Sequence, residues 1–482
     1  MWWMLLACRE EPEPAIPRDF PEGFAFGTAT AGWQVEPGCP TWSEAECGLP
    51  AADWTQWVTD PDVIADPGLY VRGEPVTAGP GMWELFEDDV QVMRADGMTA
   101  LRTSLEWPRL FPDGAAEAAD SVDALAAYAD PAVQRYHEMF AALRAAGIEP
   151  VVTLNHYTLP LWVHDGVACH DDLASCPDGW VTRERIVPLI AKYAGFCARE
   201  FGADVDLWFT LNEPFATTVS GYVLPTEDRS APPGRYLDLD SAVAVMRNQI
   251  EGHAAMVDAV RAEDAVDADG DGVANQVGIV MNFAAITPAD PASEADQLAV
   301  QHADYLYHAL YLDAVTTGAW DDDLDGVPDR TRDDLAGRLD VLGINYYNQL
   351  VVTGLGAAPF EALPVFDFSF TFSWDPYPEG LGEVVRRGAA FGAPIWVTEN
   401  GTPLVEERGA EILDGHLASL AGAVADGVDV RGYLYWSYVD NYEWNHGMGL
   451  RFGLYRLDPD TKARIPRDVR DRYREIAATG AL

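Results

Sequence analysis

Positive charge is scarce in this sequence. Lys and Arg together number 31 against 78 Asp and Glu in 482 residues, giving a formal net charge of −47 and a sequence pI near 4.2. A surface of that sign repels nucleic acid and anionic membranes and favours neutral ligands. No apolar run is long enough to cross a bilayer. No repeat, Ser/Gly-rich linker or break in composition marks off a second domain. Cysteine is sparse too, with six residues. What the chain does have is 48% hydrophobic content and 11% aromatics, which excludes a disordered chain and provides for one large core. Most of the sixteen Trp and nineteen Tyr go to that core, and the rest suit the flat faces of sugars.

The opening stretch "MWWMLLACREEPEP" ends an apolar run at Leu-Ala-Cys and then turns acidic and Pro-rich. It resembles the end of a bacterial lipoprotein signal in which Cys8 would carry the lipid, although the positive start is missing and the apolar part is short. Residues 1–19 therefore read as a leader and 20–482 as one folded domain. Export follows, periplasmic or lipid-anchored, with the cytoplasm as the alternative and Cys8 as the sole membrane contact. Cys39 with Cys47, and Cys169 with Cys176, lie close in turn-rich loops and suit two short disulfides of an exported protein. Cys197 reads as a buried helix thiol. A rival use of "HDGVACHDDLASC" is a zinc set of His164, Cys169, His170 and Cys176, at a spacing that fits no familiar finger.

Apolar strand-like runs alternate with amphipathic helical stretches almost from end to end. The strand candidates are 24–31, 99–107, 149–157, 206–214, 276–284, 341–348, 394–401 and 430–441. Helical stretches such as "WELFEDDVQVMRADG" and "PAVQRYHEMFAALRAAG" each close on a Gly. Eight buried parallel strands alternating with helices predict an α/β fold, a single closed (β/α)8 barrel. Residues 37–80 and 354–380 read as long loops inserted on it.

Most of these strands end on polar groups for which an apolar strand has no structural use: Arg102, His156, Asn212, Glu213, Asn345, Tyr347, Glu399 and Trp436. Gln34, Glu443 and Trp444 follow shortly after a strand. In a (β/α)8 barrel the C-terminal strand ends converge on the active site. Glu213 and Glu399 would face each other across the barrel mouth, the equipment of glycoside hydrolysis, in which one carboxyl stays protonated and the other ionised. Arg102 and Tyr347 are placed to hold a neighbouring carboxylate ionised, which would make that group the nucleophile. An isolated pair of this kind reads as capping of the helices that follow.

The surrounding motifs change that reading. "FPEGFAFGTATAGWQVE", "NHYTLPLW", "WFTLNEP", "LGINYYN", "WVTENG" and "YWSYVDNYEW", in this order, closely resemble family 1 glycoside hydrolases, the β-glucosidase and β-galactosidase group, from about residue 20 to 478. The resemblance implies Glu213 as general acid/base and Glu399 as nucleophile, with Arg102, Tyr347 and Asn345 supporting them. It assigns Asn212 to the sugar 2-hydroxyl and Gln34, His156, Glu443 and Trp444 to the other hydroxyls, with Trp436 as the stacking floor. It implies double displacement through a covalent glycosyl-enzyme, with carboxyls roughly 5–5.5 Å apart, and no cofactor for the chemistry. Substrates would be small β-glucosides or oligosaccharides. Glu443 and the absence of a matching Lys in "NHGMGLRFG" favour an unphosphorylated sugar. Tyr157 stands where the family usually has Trp, and Glu106 where it often has Ser. A transglycosylase and a catalytically silent carbohydrate-binding envelope protein are the competing readings. Oligomeric state is not legible.

"DADGDGVAN" and "DDDLDGVPD" follow the pattern of a calcium loop without its terminal Glu. The ligands would be Asp267, Asp269, Asp271 and Asn275 in one, and Asp321, Asp323, Asp325 and Asp329 in the other. Both loops lead into a strand, the fifth and the sixth, so both are expected on the barrel's N-terminal face, serving stability.

Overall fold

The computed structural model describes residues 19–482. The leader reading, with Cys8, lies outside the described residues. Eight strands form the barrel: β1 (Ala25–Ala29), β2 (Ala100–Ser104), β3 (Glu149–Asn155), β4 (Leu207–Asn212), β5 (Gln276–Asn282), β6 (Val341–Tyr346), β7 (Ile395–Asn400) and β8 (Val430–Trp436). Each pairs in parallel with the next, and β8 closes onto β1 with Ala29 opposite Trp436. All eight predicted strands are present, each one to five residues shorter at its C-terminal end, because the chain leaves the barrel there to build the mouth.

The barrel interior is filled by Ala29, Ala100, Val151, Phe209, Val280 and Leu434, all fully buried. Outside it run α1 (Met82–Ala95), α2 (Ala132–Ala146), α3 (Arg183–Phe201) and α4 (Leu239–Glu263). The fifth connection is helical over most of residues 294–317, and α5 (Glu379–Ala389), α6 (Val405–Ala425) and α7 (Asp468–Thr479) complete the ring. In α1 the buried Phe86, Val90 and Met93 fall at helical spacing on one face. Gly147, with φ of 73°, caps α2 in the left-handed conformation that glycine adopts without strain. At the closure, the Tyr473 hydroxyl of α7 donates to the Gly27 carbonyl of β1 (2.5 Å).

Two expected loops contain regular structure. Within 37–80 are short helices at Glu44–Cys47, Asp53–Thr59 and Pro61–Ala65. Within 354–380 the strand Phe368–Ser373 pairs antiparallel with Gln349–Gly354, which itself pairs in parallel with Ala285–Pro288. The phenylalanines at every second position of "FDFSFTFSW" give that segment the period of a strand.

Cys39–Cys47 and Cys169–Cys176 are disulfides, and Cys197 is a buried thiol whose pKa burial pushes up. The second disulfide uses up both thiolates of the rival zinc set. His164 turns instead to Asp53 (2.7 Å), and His170 to the Pro233 carbonyl.

The acidic loops differ in place. Residues 267–275 lie at the N-terminal face as expected, with the Asp269 amide donating to Asp206 just before β4. Residues 321–329 do not stay there. Asp321 accepts from Tyr305 midway along the fifth helical connection, and the Asp322 carbonyl accepts from Arg247 early in α4, so this loop climbs the outer flank. In each loop three carboxylates converge within 4.8 Å, Asp267/Asp269/Asp271 and Asp321/Asp323/Asp325. Asp329 is not among the three of its loop. The Asn275 amide donates to the Asp264 carbonyl, and Asp329 accepts from the Asp322 amide.

Candidate active site

Glu213 and Glu399 each follow a register irregularity in their strand, between Phe209 and Asn212 in β4 and between Val397 and Glu399 in β7. Such bulges re-aim the side chains beyond them. Glu213, Tyr157 and Trp444 all have positive φ, at 44°, 73° and 49°. Non-glycine residues held there cost about 1–3 kcal/mol each and cluster at functional sites. Both carboxylates line one cavity at the C-terminal mouth, together with His156, Asn212, Tyr347, Trp436, Glu443 and Trp444.

The two carboxyls have different neighbours. Arg102, fully buried, donates from Nη1 to Glu399 Oε1 (2.5 Å), and the Tyr347 hydroxyl donates to Oε2 (2.6 Å). Arg102 is itself fixed by Thr153, to which its Nε donates (2.9 Å), and its Nη2 donates to Asn212 Oδ1 (2.7 Å). Glu213 accepts at Oε1 from the Asn345 amide (2.8 Å) and at Oε2 from the Tyr157 hydroxyl (2.6 Å). Asn345 also donates to Asn212 (3.1 Å), so one amide ties the two carboxyl shells together. Burial pushes the Glu399 carboxyl up to about 7, against the pull of Arg102 and with the push of the Glu213 charge. The Arg102 charge and the Tyr347 hydroxyl both favour the ionised form of Glu399.

The rest of the cavity is built for hydroxyls. Glu443 Oε2 accepts from Gln34 Nε2 (3.1 Å) and Asn441 Nδ2 (2.8 Å). Asn212 Nδ2 lies 3.1 Å from His156 Nε2. Gln34 Oε1 and His156 Nδ1 are buried without a hydrogen-bond partner among the described residues. Each such atom costs about 1–3 kcal/mol, and of the two residues His156 lines the cavity. Burial holds the His156 pKa well below its usual value, helped by Arg102 and Arg229, so the ring stays neutral. Trp444 stacks on Trp33 (5.1 Å between centroids, 5° between planes), which sets it rigidly beside Glu443. Trp436 ends β8 at the cavity wall, with the His156 ring stacked 6.0 Å away.

Every site residue expected at the mouth lines this cavity or hydrogen-bonds a residue that does; Gln34, on the short helix Gly32–Val35, meets it through Glu443. Several others were not foreseen. Arg229, in the loop after β4, places Nη1 3.3 Å from the Tyr157 oxygen and 3.4 Å from Glu213 Oε2. Asn441 and Thr398 brace Glu443 and Asn345. The Tyr in place of the family's Trp thus gives Glu213 a hydrogen-bond donor.

Glu106 lies behind the site. Its oxygens accept from Ser104 (2.7 Å) and Thr158 (2.5 Å), and a side chain at Gly32 would collide with it at 2.8 Å. It thereby packs the helix that carries Gln34. Burial, then the nearby Glu36, raise its pKa from 4.5 to about 7. Between those values the folded state holds a proton that the unfolded state has lost. The stability from this group is therefore fully present below pH 4.5 and lost as pH rises through about 7, a span worth about 3 kcal/mol. Glu106→Gln, neutral at every pH, is expected to flatten the fall of Tm between pH 5 and 8. Parallel Tm–pH curves for the two proteins would refute this.

The sequence matches "Glycosyl hydrolase family 1" over residues 16–481. It is 32% identical to a β-galactosidase of Saccharolobus solfataricus, with 96% of each chain covered. It is 30% identical to a β-galactosidase of Pyrococcus woesei, covering 96% of this chain and 98% of that one. The crystal structure of the β-glycosidase from Thermosphaera aggregans superposes with a TM-score of 0.82 at 29% identity, covering 96% of this chain and 97% of the other. A closed eight-stranded barrel, paired carboxyls at its mouth and a match over nearly the whole sequence agree: the chain belongs to glycosyl hydrolase family 1 and is a glycoside-hydrolysing enzyme.

Proposed function

We propose a retaining, exo-acting β-glycosidase that takes terminal unphosphorylated β-glucosyl residues and tolerates related sugars such as galactose. The observation that carries this is the unequal pair of carboxyls: Glu399 gripped by Arg102 at 2.5 Å and by Tyr347, Glu213 by the neutral donors Asn345 and Tyr157 with the Arg229 guanidinium farther off at 3.4 Å. Glu399 attacks the anomeric carbon while Glu213 gives its proton to the departing oxygen, so the carbon–oxygen bond breaks and a glycosyl ester forms. Water then attacks that ester, Glu213 takes its proton, and the Glu399 carboxylate leaves. These groups supply every proton and charge the reaction moves. The names of the two β-galactosidase relatives support tolerance at the sugar. The test is nitrophenol release across β-glucoside, β-galactoside and β-fucoside, with the first product's anomeric form read by proton NMR. No release from any of them, or an α-anomer formed first, would overturn the reading.

Calcium at the two acidic loops belongs to the same proposal as a structural ion. Three convergent carboxylates in each loop support it, and desolvation with the charges of Asp325, Asp329 and Asp321 pushes the Asp323 pKa up, which a cation would relieve. EDTA is expected to lower Tm by several degrees while turnover of a small substrate at low temperature stays within about twofold. A proportional loss of turnover in still-folded protein would count against it. Export, with a lipid at Cys8, completes the proposal, and the two disulfides support it.

A further inference from the structure

Beside the sugar cavity lies a second, larger hollow. It shares Asp228, Arg229, Tyr347 and Trp374 with the first, so the two adjoin at those residues. Its wall is the strand Phe368–Ser373 and the residue that follows it. Phe366, Phe368, Phe370 and Phe372 stand on one face of that segment, with successive centroids 5.1, 6.3 and 5.5 Å apart. The same face continues to Trp374, which packs on Phe452 of the sugar cavity. Phe370, Phe372 and Trp374 line the hollow, with Val219, Leu224 and Tyr307 opposite. At its edge are Asn282 and Asn348, whose side-chain amides make no hydrogen bond among the described residues, and which also line it.

The geometry points to this hollow as the aglycone site for a flat phenolic aglycone of two or more rings, an inference that rests on the glycosidase reading. A departing group extends from the bond that Glu213 protonates, and the hollow adjoins that point through Arg229 and Tyr347, which contact Glu213 and Glu399 and line both spaces. A flat aromatic ring buries more apolar area against the Phe370 and Phe372 faces than a second sugar, whose hydroxyls only the polar part of the lining, Ser220, Thr226, Asp228 and Arg229 among it, could meet. Aromatic rings stack on those faces, and the ladder runs on from Trp374 for more than one ring's length. The free amides of Asn282 and Asn348 would meet phenolic hydroxyls.

The test has two arms, each run on the full chain and on the double variant Phe370→Ser, Phe372→Ser. Both phenylalanines are partly exposed, so Tm is expected to hold. In the turnover arm, wild-type kcat/KM for 4-biphenylyl β-glucoside should exceed that for cellobiose at least about tenfold. The variant should lose about tenfold on the biphenylyl substrate, with methyl β-glucoside changed less than about twofold. In the binding arm, 4-phenylphenol alone should bind wild type by calorimetry and bind the variant about tenfold more weakly. Equal losses on all substrates, or a preference for cellobiose, would overturn the proposal. If no glycoside is turned over, the glycosidase reading fails, and the binding arm still decides the groove: equal or absent binding of the phenol in the two proteins overturns it.

Discussion

Glu399→Gln is expected to lower turnover of any β-glycoside by at least about 10⁴-fold, because the amide cannot form the glycosyl ester. The same change tests the electrostatics. Arg102 is fully buried and pairs with this carboxylate at 2.5 Å, so a neutral partner leaves a buried guanidinium short of its counter-charge. Removing one member of such a pair costs about 3–5 kcal/mol. Gln keeps an acceptor for Arg102 and should lose less than that, whereas Glu399→Leu keeps none and should lose the larger amount. Rates on nitrophenyl β-glucoside and thermal melts of both variants separate the two effects. A residual rate within tenfold of wild type in Glu399→Gln would exclude Glu399 as the nucleophile. A Leu variant as stable as wild type would mean the ion pair has no structural weight.

How much of this was legible in the residues depends on which physical signal each feature leaves. Barrel strands are buried on both faces, so they read as continuous apolar runs, and the eight runs are the eight strands. The polar group that ends such a run has no role in the core, which is why Arg102, Asn212, Asn345 and Glu399 stood out. Arg229 left no such mark. It sits in "TEDRSAPPGR", a loop with ordinary turn composition, and only tertiary structure brings its guanidinium to Glu213. Asn275 and Asp329 stood out by spacing alone; in the fold the Asn275 amide nitrogen donates to the Asp264 carbonyl and one Asp329 oxygen accepts from the Asp322 amide. The phenylalanine ladder was legible in principle, since period two over 366–374 is a strand signal, but within a long insertion it read as loop.

Replacing Glu213 by Ala should give a loss that depends on the departing group, which distinguishes an acid/base from a residue that only binds sugar. A 2,4-dinitrophenolate leaves without a proton, so formation of the glycosyl ester on Glu399 stays close to the wild-type rate. An alkyl oxygen needs the proton, and its release should slow by about 10²–10⁴-fold. Hydrolysis of the ester also slows, because no base accepts the proton of the attacking water. The dinitrophenyl substrate should therefore show a burst of phenolate followed by slow turnover. Azide needs no base and fits the space a carboxyl vacates, so it should restore the steady rate and yield a β-glycosyl azide, the attack coming from the face the leaving group left. Asn345, Tyr157 and Arg229 stay in place in the variant with their acceptor gone, but each keeps another contact or faces the open cavity, so the fold should survive. Equal losses for dinitrophenyl and alkyl glucosides, with no burst and no effect of azide, would assign Glu213 to binding and leave the proton donor to be sought elsewhere in the cavity.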